Sequence, residues 1–320
     1  MEPLLPPLHP RLPQLLDHLQ LRVVDAINRN VLACVEADDP GMQPTYILKF
    51  GSDDRKAESI NYEVRIMRDV LPMIDQGLFE RLVLPEFVKD GMHEGMRWML
   101  MRHVAGKPLV HEWSALTFKP ETFGGKKLDP EGGNSAVDVL RDLRLVSIAE
   151  LPKFVRRFDF SAWLKTFRLE SPELVRRGFI EQVTLDDADR LFSSKEAQRY
   201  EGSMFTNGDF HPRNFILLPR GKIAVADWVG GIDPWEFVAM YAWLLMWGNP
   251  AWQQTYTREI KKHFPVDMGE MQVGLLVKAF DIIWRWRDIP EEQIGFARAQ
   301  MIAYFKQCVD FDYVRKIFQD

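Results

Sequence analysis

Short runs of alternating apolar and polar residues near the start of the chain predict three β-strands. These runs cover Leu21–Ile27, Val31–Ala37 and Thr45–Phe50, and clusters of turn-forming residues separate them. The preceding residues 1–20 form a proline-rich extension, which we predict to be extended through residue 13 and then amphipathic near Leu15–Leu21. The first folded unit of the chain therefore begins with strands.

A helical pattern and two more strand-like runs follow. Over Lys56–Leu71, apolar residues recur every three or four positions, which predicts one helix that Pro72 ends. Two further apolar runs, Leu82–Val88 and Arg97–Val104, predict strands. Residues 21–104 are therefore expected to form a small, mostly antiparallel sheet with one helix.

Beyond a break at residues 105–108, helical periodicity predominates to the end of the chain. One hairpin at residues 215–226 interrupts it, and four glycines within residues 111–135 predict a mobile loop or an insertion. The pattern is that of an α+β protein, with a sheet-and-helix unit at residues 21–104 and a mainly helical unit at residues 105–320.

Composition and charge exclude several classes of protein. The 41 basic and 46 acidic residues give a net charge of −5, without the basic stripe of a dedicated nucleic-acid-binding protein. The longest apolar run, Phe237–Gly248, is too short to span a bilayer. The two cysteines, Cys34 and Cys308, lie far apart in apolar surroundings, which fits reduced thiols. The N-terminus also lacks a basic segment, so we expect a cytoplasmic protein without a nucleic-acid or membrane partner, its oligomeric state left open.

Candidate chemistry concentrates around the predicted hairpin. Its strands, Phe215–Leu218 and Lys222–Ala226, are joined by a turn near Arg220–Gly221. A turn there would place Asn214 beside Asp227 at the open end of the hairpin. An amide oxygen and a carboxylate together are suitable ligands for Mg²⁺, which favours carboxylates combined with substrate phosphates.

A third oxygen-bearing side chain lies just before the hairpin. Asp209 precedes Asn214 by five residues, on a loop that Gly208 and Pro212 bend, and it could face the same point. The alternative interpretation is that these side chains only cap turns and end a strand. All three at these spacings favour a common site.

A lysine and a glutamate occupy unexpected positions in the first unit. Lys49 lies in the middle of the apolar strand Thr45–Phe50, where an unpaired ammonium is costly. Glu63 falls between Ile60 and Met67, inside the apolar stripe of the predicted helix. The two charges explain each other if they pair, and such a pair could hold the lysine against a phosphate. The alternative is a lysine with its ammonium in water and a solvated glutamate.

Three runs in the second unit, Asn207–Asn214, Ala226–Trp228 and Gly231–Phe237, carry a further pattern. Together they resemble the aminoglycoside phosphotransferase family, the phosphotransferase-enzyme branch of the protein-kinase-like fold. Weaker support comes from Lys49, Glu63 and the run Trp98–Leu109, which is similar to the family's strand-to-hinge segment. The resemblance spans roughly residues 21–250 and implies a two-lobed fold, with a nucleotide-binding N-lobe and a catalytic, acceptor-binding C-lobe. The most specific part of the resemblance is the Gly-Asp-x-His-Pro-x-Asn core at residues 208–214.

The resemblance implies roles for the residues of the second unit. Asp209 would be the catalytic aspartate that orients the acceptor hydroxyl and can deprotonate it. Asn214 and Asp227 would hold the Mg²⁺ ions that bridge the phosphates of ATP. Phosphoryl transfer leaves the protein little covalent chemistry, because positioning and charge neutralisation supply most of the catalysis.

The resemblance also implies the nucleotide contacts. Lys49 would contact the α- and β-phosphates of ATP, with Glu63 fixing its side chain. Backbone groups at Arg102 and Val104 would form hydrogen bonds with adenine, and Met101 would pack behind the base.

The sequence departs from the family at three points. Asn207 stands where the family usually has a histidine, Glu236 where it usually has an aspartate, and the turn Ala26–Asn30 contains no glycine. These departures keep a second hypothesis open, that of a catalytically weak or inactive relative that binds nucleotide or a protein partner. A third possibility is a binding or scaffolding protein that takes no nucleotide.

The acceptor is not identified by the sequence. Amino sugars, sugars, amino alcohols such as choline, and macrolides all remain open as small-molecule acceptors of phosphate. A polycationic aminoglycoside would favour an acidic cleft, yet residues 104–320 hold 29 basic and 30 acidic residues. Trp243 and Trp247, four positions apart, favour core packing, with an aromatic wall for a cationic or ring-shaped acceptor as the alternative.

Overall fold

The computed structural model describes residues 9–28, 30–109, 131–194, 197 and 200–319. Its strands are, in chain order, β1 (Leu21–Asn28), β2 (Val31–Glu36), β3 (Tyr46–Gly51), β4 (Leu82–Val83), β5 (Phe87–His93), β6 (Met96–Arg102), β7 (Lys107–Pro108), β8 (Arg156–Arg157), β9 (Met204–Thr206), β10 (Phe215–Leu217), β11 (Ile223–Val225) and β12 (Gly231–Asp233). Its helices are α1 (Leu12–Leu19), α2 (Asp54–Arg65), α3 (Glu131–Leu143), α4 (Phe160–Arg176), α5 (Gln182–Phe192), α6 (Trp235–Leu245), α7 (Pro250–His263), α8 (Met268–Trp286), α9 (Glu291–Cys308) and α10 (Phe311–Ile317).

An antiparallel five-stranded sheet forms the N-terminal part of the protein, as the sequence predicts. The strand order is β1-β2-β3-β6-β5, and Lys49 pairs with Val31 on one side and Met99 on the other. One face of the sheet packs against the leucines of α1, and the other packs against α2. Lys49 is therefore fixed in a central strand.

The helix that follows β3 has a different course from the one predicted. Asp53 caps α2 by accepting a hydrogen bond from the Lys56 amide, and the α-helix ends at Arg65. The chain continues as a π-helical turn over Ile66–Val70 and then as a short 3₁₀ turn that contains Pro72. The predicted element is thus present but is regular over its first part only.

The predicted single strand Leu82–Val88 is wrong. Pro85 interrupts this run, because its ring nitrogen has no hydrogen to donate to a sheet. The residues before it form β4, which pairs in parallel with β11, and the residues after it belong to β5 of the first sheet. The resulting four-stranded sheet has the order β4-β11-β10-β7, so that residues 107–108 form an edge strand.

The C-terminal part is mainly helical, with its core between α6 and the long helix α8. A three-stranded sheet of order β8-β12-β9 lies beside the helices, whereas the sequence predicted a single hairpin in this part of the chain. Of the predicted mobile loop, residues 111–130 lie outside the described residues. Residues 131–135 are the first turn of α3, so that part of the prediction is wrong.

Of the N-terminal segment that was predicted to be extended through residue 13, residues 1–8 lie outside the described residues, and the last two residues belong to a helix instead. Helix α1 already begins at Leu12, and its leucines are buried against the first sheet. Cys34 and Cys308 are both buried and are free thiols. Among the described helices, none is sufficiently long and apolar to cross a membrane.

Candidate active site

The loop that carries Asp209 is shaped by its neighbours in sequence. After β9, Gly208 adopts a φ of +81°, a left-handed conformation that glycine takes without strain. His211 then caps a 3₁₀ turn over Pro212–Asn214 through its side chain. This double bend turns the chain back, and the Asn214 side-chain amide donates a hydrogen bond to the Asp209 backbone carbonyl at 2.9 Å.

Three side chains donate hydrogen bonds to the Asp209 carboxylate. They are His211 Nε2 at 3.1 Å and Asn214 Nδ2 at 3.2 Å, both on Oδ2, and the Tyr241 hydroxyl at 2.9 Å on Oδ1. Burial alone would raise the pKa of Asp209, but these donors outweigh it and hold the pKa well below its usual range. Asp209 is therefore a fixed, ionised carboxylate.

The hydrogen bonds also assign the tautomer of His211. Its Nδ1 accepts the backbone amide of Arg213 at 3.2 Å, so in the neutral ring the proton lies on Nε2 and is donated to Asp209. Sequence reasoning assigned His211 no contact of its own, and it missed Tyr241 entirely. The available signal was a tyrosine within the buried, largely apolar helix α6, where a hydroxyl needs a partner.

Asn214 and Asp227 both lie at the open end of the hairpin, although not in the predicted register. The hairpin pairs Phe215 with Val225, so that Ala226 rather than Asp227 lies opposite Asn214. Asp227 follows one residue later with a φ of +55°, and this left-handed turn departs from the ladder. The Asn207 side-chain amide braces the bend by donating to the Ala226 carbonyl at 3.1 Å and to the Asp209 carbonyl at 3.2 Å.

The predicted pair of Lys49 and Glu63 is present and is extended by Asp227. Lys49 Nζ lies 2.6 Å from Glu63 Oε1 and also forms an ion pair with Asp227 Oδ1. Burial alone would lower the pKa of Lys49, but the two carboxylates outweigh it and raise the pKa above its ordinary value. The side chain is therefore a charged ammonium at the edge of the cleft.

The oxygens of Asn214 and Asp227 fit the predicted Mg²⁺ site. Because Asn214 donates through Nδ2, its Oδ1 is left as an acceptor, and no described residue donates to it. Asp227 uses Oδ1 for Lys49, so its Oδ2 is likewise open, and nearly half of its side-chain surface is exposed. Two hard oxygens, one of them anionic, thus face one cavity.

That cavity has a volume of about 440 Å³ and runs from the first sheet to Asp209. Ile47 and Met101 contribute apolar surface at one end, next to the backbone of residues 102–104. The Arg102 amide donates to the Glu86 carbonyl at 2.9 Å. The hydrogen bond with adenine that was predicted at Arg102 is therefore left to its carbonyl oxygen.

A second cavity of about 510 Å³ shares Asp209, Asp227 and Lys49 with the first. It extends toward β8, β12 and the last turn of α8. Asp209 thus lies between two cavities, one of which is continuous with the predicted nucleotide site.

The tryptophans of α6 and its C-terminal extension belong to the core. Trp243 packs against Tyr304 with ring centroids 5.2 Å apart, and Trp247 packs against Phe296 at 5.3 Å. Neither residue lines the two cavities beside Asp209. The contacts therefore favour the core-packing interpretation over an aromatic acceptor wall.

Comparison with known proteins identifies relatives of this fold. Residues 19–262 match the phosphotransferase enzyme family, whereas no curated protein matches the sequence significantly. A thermostable mutant of aminoglycoside phosphotransferase APH(4)-Ia, in its apo form, superposes with a TM-score of 0.62 at 13% identity, over 91% of this chain and 97% of that one. The GDP complex of aminoglycoside 2'-phosphotransferase-IIIa gives 0.61 at 12% identity, over 89% and 92%.

A third solved structure is similar over a larger share of this chain. An aminoglycoside phosphotransferase from Alicyclobacillus acidocaldarius gives a TM-score of 0.55 at 13% identity, over 97% of this chain and 96% of that one. These similarities confirm the predicted α+β fold, with an antiparallel N-terminal sheet and a helical C-terminal region, as in kinase-like phosphotransferases.

Proposed function

The chain belongs to the phosphotransferase enzyme family, and from this premise we propose that it is an ATP-dependent kinase of a small-molecule hydroxyl. The observation that carries the proposal is the convergence of Lys49, Asp209, Asn214 and Asp227 where two cavities meet. One cavity suits a nucleotide and the other an acceptor. A distant relative, a thermostable mutant of APH(4)-Ia, forms a ternary complex with ADP and hygromycin B, which supports this division.

ATP would occupy the cavity beside the first sheet. Its adenine would lie between Ile47 and Met101, with the Arg102 carbonyl and the Val104 backbone at the base edge. Lys49 would contact the α- and β-phosphates, exchanging its contact with Asp227 for phosphate oxygens while Glu63 holds its side chain. The buried ion pair with Glu63 thus keeps the ammonium in place before the nucleotide arrives.

Asn214 Oδ1 and Asp227 Oδ2 would hold Mg²⁺ together with the phosphates. Bound there, the ion would neutralise charge on the β- and γ-phosphate oxygens. The chain itself keeps both ligands oriented: Asn214 through its hydrogen bonds to Asp209, and Asp227 through the left-handed turn that Asn207 braces.

Asp209 would orient the acceptor hydroxyl. The acceptor oxygen forms a bond to the γ-phosphorus as the bond to the β-phosphate oxygen breaks, ADP leaves, and the hydroxyl proton passes to Asp209 and then to water. The depressed pKa keeps Asp209 ionised, so its main contribution is to hold the hydroxyl in line, with proton transfer as the new bond forms.

The braced loop counts against the hypothesis of a catalytically inactive relative. The Asn207 amide links the Asp209 loop to the chain at Asp227, which is the bracing that the family's histidine would provide. The glycine-free turn between β1 and β2 remains a departure from the protein-kinase pattern. We therefore propose that the protein catalyses phosphoryl transfer and does not only bind a nucleotide or a protein partner.

The test is a screen for acceptor-dependent ADP release. Purified protein with Mg²⁺ and ATP is offered amino sugars, sugars, sugar acids, amino alcohols and macrolides. We expect transfer to one class and a loss of about 10²- to 10⁴-fold in kcat for Asp209→Asn, with nucleotide binding retained. Asp186→Asn, a surface change on α5, is the matched control. Transfer to none of these compounds, or equal rates for Asp209→Asn and the unchanged protein, would contradict the proposal.

A further inference from the structure

Three arginines line the second cavity, opposite the predicted nucleotide site. Arg156 and Arg157 come from β8, and Arg285 comes from the last turn of α8. All three are exposed, and none forms an ion pair with a carboxylate of the described residues. Arginines elsewhere in the described chain, such as Arg168, Arg177 and Arg298, do form such pairs.

The other contacts of these arginines leave donors available. The Arg156 guanidinium lies 4.0 Å above the ring of Tyr62, and Arg157 donates one hydrogen bond to the Ile148 carbonyl at 3.0 Å. No hydrogen bond of Arg285 to a described residue exists. Each guanidinium has five N–H groups, so most of these donors remain for a ligand.

The carboxylates that line the same cavity are largely engaged. Glu63 and Asp227 both pair with Lys49, and Asp209 already accepts three hydrogen bonds. Asp233 is the remaining acid of the lining. The lining thus holds four cationic and four acidic side chains, and of these Glu63 and Asp227 cluster around Lys49, whereas the three arginines form no ion pair with a described residue.

We propose that the acceptor is an anionic hydroxyl compound, a proposal that rests on the kinase activity proposed above. Its carboxylate or phosphate ester is bound by Arg157 and Arg285, whose planar guanidinium groups match such oxyanions with paired hydrogen bonds. Its reacting hydroxyl faces Asp209, and Asp233 accepts a hydrogen bond from another hydroxyl. A polycationic aminoglycoside would meet like charges at this position and is disfavoured.

Matched acceptor series test the charge preference directly. The hexose series is gluconate, glucose 6-phosphate, glucose and glucosamine, and the three-carbon series is glycerate, glycerol and serinol. Transfer is read as ADP release, and binding to protein saturated with AMP-PNP and Mg²⁺ is read by calorimetry. We expect binding and transfer to favour the anionic members of a series by at least about tenfold. Comparison of gluconate with glucose 6-phosphate distinguishes a carboxylate from a phosphate ester.

Variants assign the preference to the arginines. Arg157→Gln and Arg285→Gln are each expected to raise the KM of the anionic acceptor by about tenfold, with the KM of ATP unchanged. The double charge reversal Arg157→Glu with Arg285→Glu is expected to shift the preference toward glucosamine or serinol. Arg190→Gln, an exposed change on α5, is the control. All of these positions are at the surface, so the variants are expected to fold.

The outcomes separate this inference from the proposed function. Transfer to neutral or cationic acceptors in preference to anionic ones would support a kinase and overturn the anionic acceptor. Binding of anionic compounds without transfer, lost in Arg285→Gln, would support the anionic site and count against the kinase. A rise in the KM of ATP alone in the arginine variants, or no binding of any anionic compound, would overturn the inference.

Discussion

Asp209 shows how neighbouring residues determine the properties of a single side chain. Three donors from two parts of the chain, the Asp209 loop and helix α6, converge on one carboxylate. They lower its pKa against the opposing effect of burial, and they fix both of its oxygens. A base with so low a pKa is a weak proton acceptor, so in the proposed phosphoryl transfer the contribution of Asp209 would lie in its position.

Tyr241 is expected to act as a positioning residue for Asp209. Tyr241→Phe removes the donor on Oδ1, which raises the pKa of Asp209 and loosens the carboxylate. In the proposed mechanism Asp209 acts in its ionised form, so activity would be lost as pH falls through its pKa, and the acid limb of the pH–rate profile should move to higher pH. We expect kcat to fall by roughly tenfold, consistent with one hydrogen bond to a charged group.

The control for this prediction is another buried tyrosine. Tyr256 donates to the Ala239 carbonyl at 3.2 Å, away from Asp209, so Tyr256→Phe removes a hydrogen bond without touching the site. Its pH–rate profile should match that of the unchanged protein. The same acid limb in Tyr241→Phe and Tyr256→Phe would rule out the positioning role.

At the scale of elements, periodicity predicts only the longer elements. The strands around Lys49 and the helix with Glu63 follow from alternation and helical spacing, and the misplaced charges on them predicted their pairing. Pro85, visible in the sequence, was the missed signal that divides β4 from β5. The two- and three-residue strands β7, β8, β9 and β12 exist through their partners, so a local pattern cannot reveal them.

The candidate site, like the fold, could be predicted from the sequence only in part. Local spacing identified Asp209, Asn214 and Asp227, but the register of the hairpin differs by one residue because the turn at Arg220 was placed only approximately. Tyr241 and the arginines of the second cavity come from distant segments. Only tertiary packing brings them to Asp209, so no spacing rule could find them.

Asp142 joins α3 to the start of β4 and to the two residues before it. This buried carboxylate accepts the backbone amides of Glu80, Arg81 and Leu82 at 3.0, 2.7 and 2.6 Å. Asp142→Ala leaves three donors without their acceptor and is expected to lower the free energy of unfolding by roughly 3 kcal/mol or more. Chemical denaturation followed by circular dichroism measures the change.

Asp138 provides a control on the same helix. It forms surface ion pairs with Arg81 and Arg141, so Asp138→Ala should cost less than about 1 kcal/mol. Equal losses for the two variants would show that the three buried hydrogen bonds of Asp142 contribute no more to stability than the surface ion pairs of Asp138.

Glu236 makes the packing of α6 against α8 sensitive to pH. Burial, and then the carboxylates of Glu270 and Asp267, raise the pKa of Glu236 to about 7. An acid whose pKa is raised by folding binds its proton more tightly in the folded state, so stability falls as pH rises from about 4.5 to about 7. Glu236→Gln should remove much of this decline, which is on the order of 1–3 kcal/mol.

Thermal denaturation between pH 5 and pH 8 measures this prediction. The unchanged protein is expected to lose stability over this range, and Glu236→Gln is expected to lose less. Glu292→Gln, a change in the exposed first turn of α9, should retain the full decline. If the stability of Glu236→Gln depended on pH as strongly as that of the unchanged protein, ionisation of Glu236 would not explain the decline.

At the scale of the whole molecule, the N-terminal and C-terminal parts contact each other across the candidate site. Tyr62 of α2 donates to the Gly230 carbonyl at 2.6 Å and accepts the Arg156 amide at 3.0 Å, while Lys49 reaches Asp227. These contacts link the first sheet and α2 to the segments that line both cavities. A nucleotide bound between the two parts would add further contacts to both of them. A ligand that binds the folded protein but not the unfolded chain raises the free energy of unfolding.

The most direct test of the account is the affinity for ATP with and without Mg²⁺, measured by calorimetry on the unchanged protein and on Asp227→Ala. The account predicts that Mg²⁺ strengthens ATP binding to the unchanged protein, and that Asp227→Ala loses this gain while Asp186→Ala keeps it. At 100 times the dissociation constant, bound Mg²⁺–ATP should also add about 2.7 kcal/mol of stability. No ATP binding, or an equal Mg²⁺ effect in Asp227→Ala, would contradict a site built from Lys49, Asn214 and Asp227.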